Sequence, residues 1–254
     1  MVDIHSHVLY GMDDGAQTLE DSIALVKMAA AAGTTDLVGT PHASPMYRFE
    51  PELVQERLRE VEEAACGVLR LYSGCDFHLS YENIQDALAN PRKYTINHSR
   101  YLLVEFSDLL IFRNTQEIFA RLLEAGMFPI VTHPERNGLL RQRIDDLASW
   151  FEDGCYLQVT AQSLLGRFGK QAQEFARTLL DRGLVHFIAS DGHDVDRRPP
   201  TMDAAFAWLE SKYGRALAEV LCIVNPRATL TGDPVDLPQV DTPSPSRKWY
   251  QLWR

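Results

Sequence analysis

The sequence predicts an α/β fold, with a parallel sheet carrying helices on its outer face and closing into a barrel of about seven strand–helix units. Two features point there. Short apolar runs rich in Val, Ile, Leu and Tyr alternate with longer runs that stop at or near glycine or proline. Most of the short runs also end in a chemistry-bearing residue, which is where α/β folds gather their ligands. An open doubly wound sheet fits the same alternation and is the alternative.

The chain opens on a strand at 2–4 that runs into Asp3-Ile4-His5-Ser6-His7. The run is too brief for a helix. In a strand, side chains two apart share a side, so His5 and His7 project together. A helix at 18–32 stops at Gly33. The strand at 36–40 ends in Thr40-Pro41-His42. The helix at 51–65 has Pro51 in its first turn and stops before Gly67. The strand at 69–73 leads into Gly74-Cys75-Asp76, and the helix at 81–89 ends near Pro91. The strand at 101–105 ends in Glu105, and the helix at 115–125 stops at Gly126. The strand at 129–132 ends in His133-Pro134-Glu135-Arg136, and the helix at 144–152 ends near Gly154. The strand at 156–159 is the exception, running into Thr160-Ala161-Gln162 with no His, Asp or Glu. The helix at 169–182 stops at Gly183, and the strand at 185–189 ends in Ser190-Asp191-Gly192-His193. Helices at 202–213 and 216–222 follow. Residues 1–232 thus read as one domain. Residues 233–254 read as a Pro-rich tail with a basic, aromatic end from Arg247 to Arg254.

The formal charge of -10 over 254 residues argues against non-specific binding to nucleic acid or anionic lipid. No apolar run approaches the roughly 20 residues that span a bilayer, and the start is polar and His-rich rather than leader-like. The four cysteines, Cys66, Cys75, Cys155 and Cys222, lack metal or redox spacing. A reduced, cytoplasmic protein is therefore expected.

Histidine placement is the most informative feature. Of eight histidines, five (His5, His7, His42, His133 and His193) fall at predicted strand ends. His186 lies inside an apolar run and reads as a packed residue. With Asp14, Asp76, Glu105 and Asp191, the five histidines make a nitrogen and oxygen donor set without thiolate. Such a set suits Mn, Fe or Zn and excludes a structural thiolate zinc site. Nine donors are too many for one ion and could serve two or three. Clustered divalent ions activate water and clamp the oxygens of an in-line displacement. Three such ions bring about six positive charges against about four from the carboxylates. Together with Arg136, that surplus favours a phosphate dianion. The bland reading of Arg136 is an ion pair with Glu135.

These residues resemble the PHP (polymerase and histidinol phosphatase) superfamily. The segments that carry the resemblance are Asp3-Ile4-His5-Ser6-His7, Gly11-Met12-Asp13-Asp14-Gly15, Thr40-Pro41-His42, Tyr101-Leu102-Leu103-Val104-Glu105, Thr132-His133-Pro134-Glu135-Arg136-Asn137 and Ile188-Ala189-Ser190-Asp191-Gly192-His193. They look most like its bacterial manganese-dependent protein-tyrosine phosphatases of the capsular and exopolysaccharide type, as does Gln162-Ser163-Leu164-Leu165-Gly166-Arg167-Phe168-Gly169. The resemblance implies a distorted seven-stranded, TIM-like barrel of PHP type, holding three divalent ions, manganese first and iron or zinc next. It implies one ion on His5, His7, Asp76 and Asp191, a second on Asp76, Glu105 and His133, and a third on Asp14, His42 and His193. It makes Arg136, Asp191 and His193 the catalytic residues, with Arg136 on the substrate phosphate. It implies a phosphotyrosine protein as substrate, the tail of a bacterial tyrosine autokinase, and leaves an oligomer open. One position departs from the pattern: Asp76 stands where the family usually has Glu, one methylene longer. His78, two residues on, is the substitute ligand if the strand continues.

A tyrosine phenolate, with an ordinary pKa near 10, leaves without a designated general acid, and none is assigned. A cysteine-based phosphatase needs Arg six positions after Cys, but the residues there are Tyr72, Tyr81, Ala161 and Ala228. The remaining rivals are a small-molecule phosphatase such as histidinol phosphatase, a non-catalytic barrel, and an amidohydrolase. The last would want a lysine after a middle strand, and none stands there.

Overall fold

A computed structural model describes residues 1–237. The sequence-predicted tail from 238 to 254 lies outside the described residues.

The element order is strand and helix in alternation, as expected, with two strands broken in the middle. β1 (Val2–Ser6) leads to α1 (Leu19–Ala31), which opens on a capping box between Thr18 and Asp21. The second barrel strand is split into β2 (Asp36–Gly39) and β3 (His42–Ala43), with Thr40 and Pro41 between them. α2 (Pro51–Ala64) starts with proline at its first turn. The third barrel strand is likewise split into β4 (Arg70–Ser73) and β5 (Asp76–His78) at Gly74 and Cys75. α3 (Tyr81–Ala89), β6 (Tyr101–Glu105), α4 (Thr115–Glu124), β7 (Phe128–Thr132), α5 (Ile144–Glu152) and β8 (Tyr156–Thr160) continue the alternation. The short α6 (Ala161–Leu164) precedes α7 (Lys170–Asp181) and β9 (Phe187–Ala189). After α8 (Asp203–Tyr213), α9 (Arg215–Glu219), a π-helical turn at Val220–Val224 and α10 (Asn225–Thr231) close the described fold.

Among the described residues all strand pairs are parallel. One sheet runs β1-β2-β4 and the other β3-β5-β6-β7-β8-β9. The ring closes between its first and last strands. Asp191 N–H donates to His5 O and His7 N–H to Gly192 O, both at 2.8 Å, and Ser6 bridges to Gly192. The breaks in the second and third strands make the barrel distorted. Its starting end runs β1-β2-β4, whereas its C-terminal end runs β3-β5-β6 onward. A 3₁₀ turn at Ile96–His98 packs between β4 and β6, where the starting halves do not pair.

Except for β4, which is partly exposed, the strands are largely buried on both faces, hence their near-continuous apolar runs. Parity then matters. On β6, Tyr101 and Leu103 share a side with Glu105; on β9, Phe187 and Ala189 share a side with Asp191. The apolar members of these sets pack with Ile96 and Ile130 into a single cluster. The same side of a strand is thus apolar at its start and polar at its C-terminal end. The opposite side, with Leu102 and Val104, belongs to the large outer core beneath α4, α5 and α7. His186 is fully buried, stacked on Phe151 and edge-on to Tyr156, as expected for a packed histidine.

The predicted helix at 216–222 divides into α9 and the π-helical turn, and α10 was not anticipated. Its Leu230 packs into the β6/β9 cluster. The first residues of the predicted tail lie against the barrel: Tyr101 donates to Asp233 O at 2.5 Å, and Asp236 N–H donates to Asn225 Oδ1.

Candidate metal centre

All nine predicted donors converge at the C-terminal face of the barrel. His5 comes from within β1, which reaches Ser6 and is longer than the predicted strand, and His7 follows it. His42 and Asp76 lie side by side in register on the short strands β3 and β5. These two strands follow a Pro and a Gly-Cys break, which hid them from a reading of strand ends. Glu105 ends β6; His133 follows β7; Asp191 and His193 follow β9; Asp14 comes from the loop after β1.

Donor atoms fall into four overlapping groups, each within 4.8 Å: His7, Asp14, His42 and His193; His5, His7 and Asp76; His5, His133 and Asp191; His42, Asp76 and Glu105. Asp76 Oδ2 lies 3.4 Å from His5 Nε2 and 3.2 Å from His42 Nδ1. Asp191 Oδ1 lies 3.5 Å from His5 Nε2 and 3.4 Å from His7 Nε2. Asp14 Oδ1 is 3.4 Å from His42 Nε2 and 3.5 Å from His193 Nε2. The grouping differs from the expected partition. His133 falls in a group with His5 and Asp191 rather than with Asp76 and Glu105, although Glu105 Oε1 lies 3.9 Å from its Nε2, and Glu105 groups with Asp76 and His42, 3.4 Å from His42 Nδ1. His78 does continue the strand after Asp76, but it turns to Glu105 at 3.7 Å and joins none of the four groups.

These distances are too long for good hydrogen bonds and suit donors set around a cation. His42 Nδ1, His193 Nε2 and both carboxylate oxygens of Asp76 are buried without a hydrogen-bond partner. Buried polar atoms rarely stay unpaired, so four within these overlapping groups mark ligand positions. The ring nitrogens on the far side are held. Asp13 accepts from His7 Nδ1 at 2.7 Å and from His42 N–H at 3.0 Å; Gln158 Oε1 meets His5 Nδ1 at 3.0 Å; Asp191 O accepts from His193 Nδ1 at 2.9 Å. Each such bond fixes a tautomer and aims the other nitrogen inward. The residues present therefore fit a multi-ion divalent centre.

The electrostatics agree. Burial would raise Asp76 and Asp191, but neighbouring histidines and, for Asp191, Arg136 hold both well below the usual carboxylate range. Asp14, held by His193 and His42, is lowered too. Burial would lower His42 and His7, but carboxylates lift His42 to about 12 and His7 to about 9. Burial depresses His193 to about 4 and holds His133 well below its ordinary value, the latter aided by Arg136. Protons hold part of the charge balance here, and a divalent ion would displace them.

Two ligand-bearing turns are bent into the left-handed region, with φ of 33° at His133 and 52° at Asp191. Non-glycine residues seldom adopt it, and such strain clusters at functional sites. Asp3 supports the second turn, accepting from Ser190 N–H at 3.0 Å and Ser190 Oγ at 2.5 Å.

Arg136 does not pair with Glu135. It donates to Asp191 Oδ2 and lies over the Phe168 ring at 4.3 Å. Glu135 is buried and accepts instead from Thr160 N–H and Ser163 Oγ. Arg198 also donates to Asp191 Oδ2, at 2.5 Å. Sequence reasoning missed Arg198, Gln158 and Asp13. Arg198 lies seven positions after Asp191 in an irregular loop, and Gln158 lies inside the one strand that ends without a ligand. The signal for Gln158 was its parity with Thr160, two positions before the strand end.

A closed parallel α/β barrel with a multi-ligand His/carboxylate cluster at its C-terminal face defines a metallohydrolase architecture. Two remote structures share the fold alone. These are a β-aspartyl dipeptidase of Fervidobacterium islandicum AW-1 in complex with a dipeptide (TM-score 0.51, 13% identity) and the lactonase Lmo2620 of Listeria monocytogenes (TM-score 0.52, 10% identity). Within that class the chain belongs to the capsular polysaccharide synthesis family CpsB/CapC, whose model matches residues 1–231. It is 34% identical to CapC of Staphylococcus aureus over 99% of this chain and 100% of that one. It is 33% identical to the tyrosine-protein phosphatase YwqE of Bacillus subtilis, over 87% of this chain and 88% of that one. A crystal structure from work on YwqE and Streptococcus pneumoniae CpsB, described as unique metal-dependent tyrosine phosphatases, superposes with a TM-score of 0.87. It shares 32% identity and covers 95% of this chain and 100% of that one.

Proposed function

We propose that this protein is a metal-dependent protein-tyrosine phosphatase that acts on the phosphotyrosine tail of a bacterial tyrosine autokinase and so controls capsule or exopolysaccharide synthesis. The observation that carries the reading is the convergence of nine His and carboxylate donors with two arginines, in a chain about one-third identical along most of its length to tyrosine-protein phosphatases. The metal ligands are His5, His7, Asp14, His42, Asp76, Glu105, His133, Asp191 and His193. They hold up to three divalent ions, manganese by preference. Bound there, the ions supply Lewis acidity and an activated water.

The chain's own groups do the rest. Arg136 and Arg198 converge on Asp191 Oδ2 from two sides. Their remaining N–H donors are placed to take the oxygens of a phosphate beside that carboxylate, where planar guanidinium forks fit best. Phe168 holds the Arg136 guanidinium flat. Asp13, Gln158 and the Asp191 carbonyl orient the histidines. A phenolate leaves readily, so no proton donor is assigned. No cysteine joins the donor groups, and burial pushes Cys155 and Cys222 up to about 12 and Cys75 well above its ordinary value. Among the described residues no helix is long and apolar enough to cross a membrane, and a cytoplasmic site of action is part of the proposal.

The test compares the manganese-reconstituted protein with its Arg136→Ala, Arg198→Ala and Asp191→Ala variants on p-nitrophenyl phosphate. A phosphotyrosyl peptide and histidinol phosphate are then run side by side on the wild type. Each variant should lose at least about 100-fold in kcat/KM while remaining folded, and the peptide should outrun histidinol phosphate. Wild-type rates in folded variants would refute the assignment.

A further inference from the structure

Among the described residues eight large apolar side chains are exposed, and five of them stand on the site face of the barrel. Met46 follows β3, Tyr81 opens α3 just after β5, Leu109 and Leu110 lie in the loop after β6, and Val195 follows β9. Leu109 is 90% exposed and Met46 82%. Exposed apolar residues scattered singly need no explanation, but five in the loops of one barrel face do. Tyr81, Leu110 and Phe112 line a cleft of about 260 Å³ together with the buried Leu79 and Phe106 and the acidic Glu82. It joins the metal centre through His78, which lines the cleft and stands 3.7 Å from Glu105 Oε2.

We infer that this cleft is a specificity subsite for an apolar or aromatic side chain flanking the phosphotyrosine, so that the enzyme selects protein segments with such a neighbour. The inference rests on the phosphatase reading and adds the sequence context of its substrate. Two features favour this occupant. The cleft adjoins the candidate metal centre, since His78 in its wall stands 3.7 Å from Glu105 Oε2. Leu79 and Phe106 in its lining are apolar and already buried, so an apolar side chain gains contact on them. A small polar phosphate ester would leave both rim and cleft unused.

Two peptide pairs test it, each differing only in whether the residues flanking phosphotyrosine are Leu/Phe or Ser/Asn. The manganese-loaded wild type should prefer the apolar member by about 10-fold or more in kcat/KM, the usual discrimination of an apolar pocket. Leu110→Asp and the milder Leu110→Ala should bring that ratio toward one. A wild-type ratio near one, or a ratio unchanged in both folded variants, overturns the subsite while leaving the phosphatase reading intact. Failure of the loaded wild type to hydrolyse any of the peptides, or p-nitrophenyl phosphate, overturns both. Sedimentation on the same proteins covers the competing occupant: a dimer that Leu110→Asp dissociates without changing the ratio makes the rim a self-association surface and also defeats the proposal.

Discussion

Gln158 shows how much of the centre depends on a residue outside the donor set. It comes from the one strand without a terminal ligand, yet its Oε1 meets His5 Nδ1 at 3.0 Å in a fully buried position. Losing it frees the ring to rotate and to change tautomer. Gln158→Leu is therefore expected to weaken metal affinity or activity by about 10- to 100-fold, the usual cost of losing such support. Manganese titration followed by activity measures it, and an unchanged titration curve would remove Gln158 from the account. The histidines and carboxylates were legible because their chemistry is scarce and their positions periodic. Gln158, Asp13 and Arg198 were not, because amides, loop carboxylates and loop arginines are common and only three-dimensional proximity distinguishes them. Asp76 lies between the two. Its shorter side chain was a visible departure, and the answer lay in the backbone: the Gly74-Cys75 break places it in register beside His42, with Oδ2 3.2 Å from His42 Nδ1 and 3.4 Å from His5 Nε2.

At the scale of elements, the loop after β1 is pressed against the histidine it follows. Gly15 N–H donates to Asp13 Oδ1 at 2.9 Å, and a methyl group on Gly15 would run into the carbonyl and Cβ of His7. Gly15→Ala must therefore move Asp13, Asp14 or His7. A displacement of about 1 Å at a site of this kind costs on the order of 100-fold in rate. Gly138→Ala is the control, since its nearest neighbour is the flexible Arg141 guanidinium at 3.8 Å. Steady-state assays should show a large loss in the first and none in the second; equal rates would mean that the loop does not set the ligands. The alternation of strand and helix was readable because buried parallel strands must be apolar throughout. The interruptions of the second and third strands were not. Two or three paired residues leave no periodic signal, and their pairing is decided by the neighbours β5 and β6.

For the whole molecule, stability and the metal centre titrate for different reasons. Burial lowers His186 to about 3, and its Nε2 has no partner. In the unfolded chain the imidazole returns to its ordinary value of 6.5. Between those values the unfolded state binds the extra proton. This contribution is therefore complete above pH 6.5 and is lost as the pH falls toward 3, at up to about 1.4 kcal/mol per pH unit. His186→Phe keeps the stacking on Phe151 and Tyr156 but cannot titrate. Urea unfolding at pH 7 and pH 4.5 should show a smaller acid loss in the variant than in the wild type; parallel losses would assign the acid sensitivity elsewhere. The closed barrel holds the ligand-bearing ends of its strands together before any ion arrives, so the protein should fold without metal and gain stability on binding it.

The most direct test of the central claim is hydrolysis of a phosphotyrosyl peptide by one preparation, first stripped with chelator and then reconstituted with manganese, with bound metal counted on the same sample. The expected result is a folded, inactive stripped protein whose activity returns in step with more than one equivalent of bound manganese. Full activity in the metal-free protein, or a loaded protein that leaves phosphotyrosine intact, would contradict it.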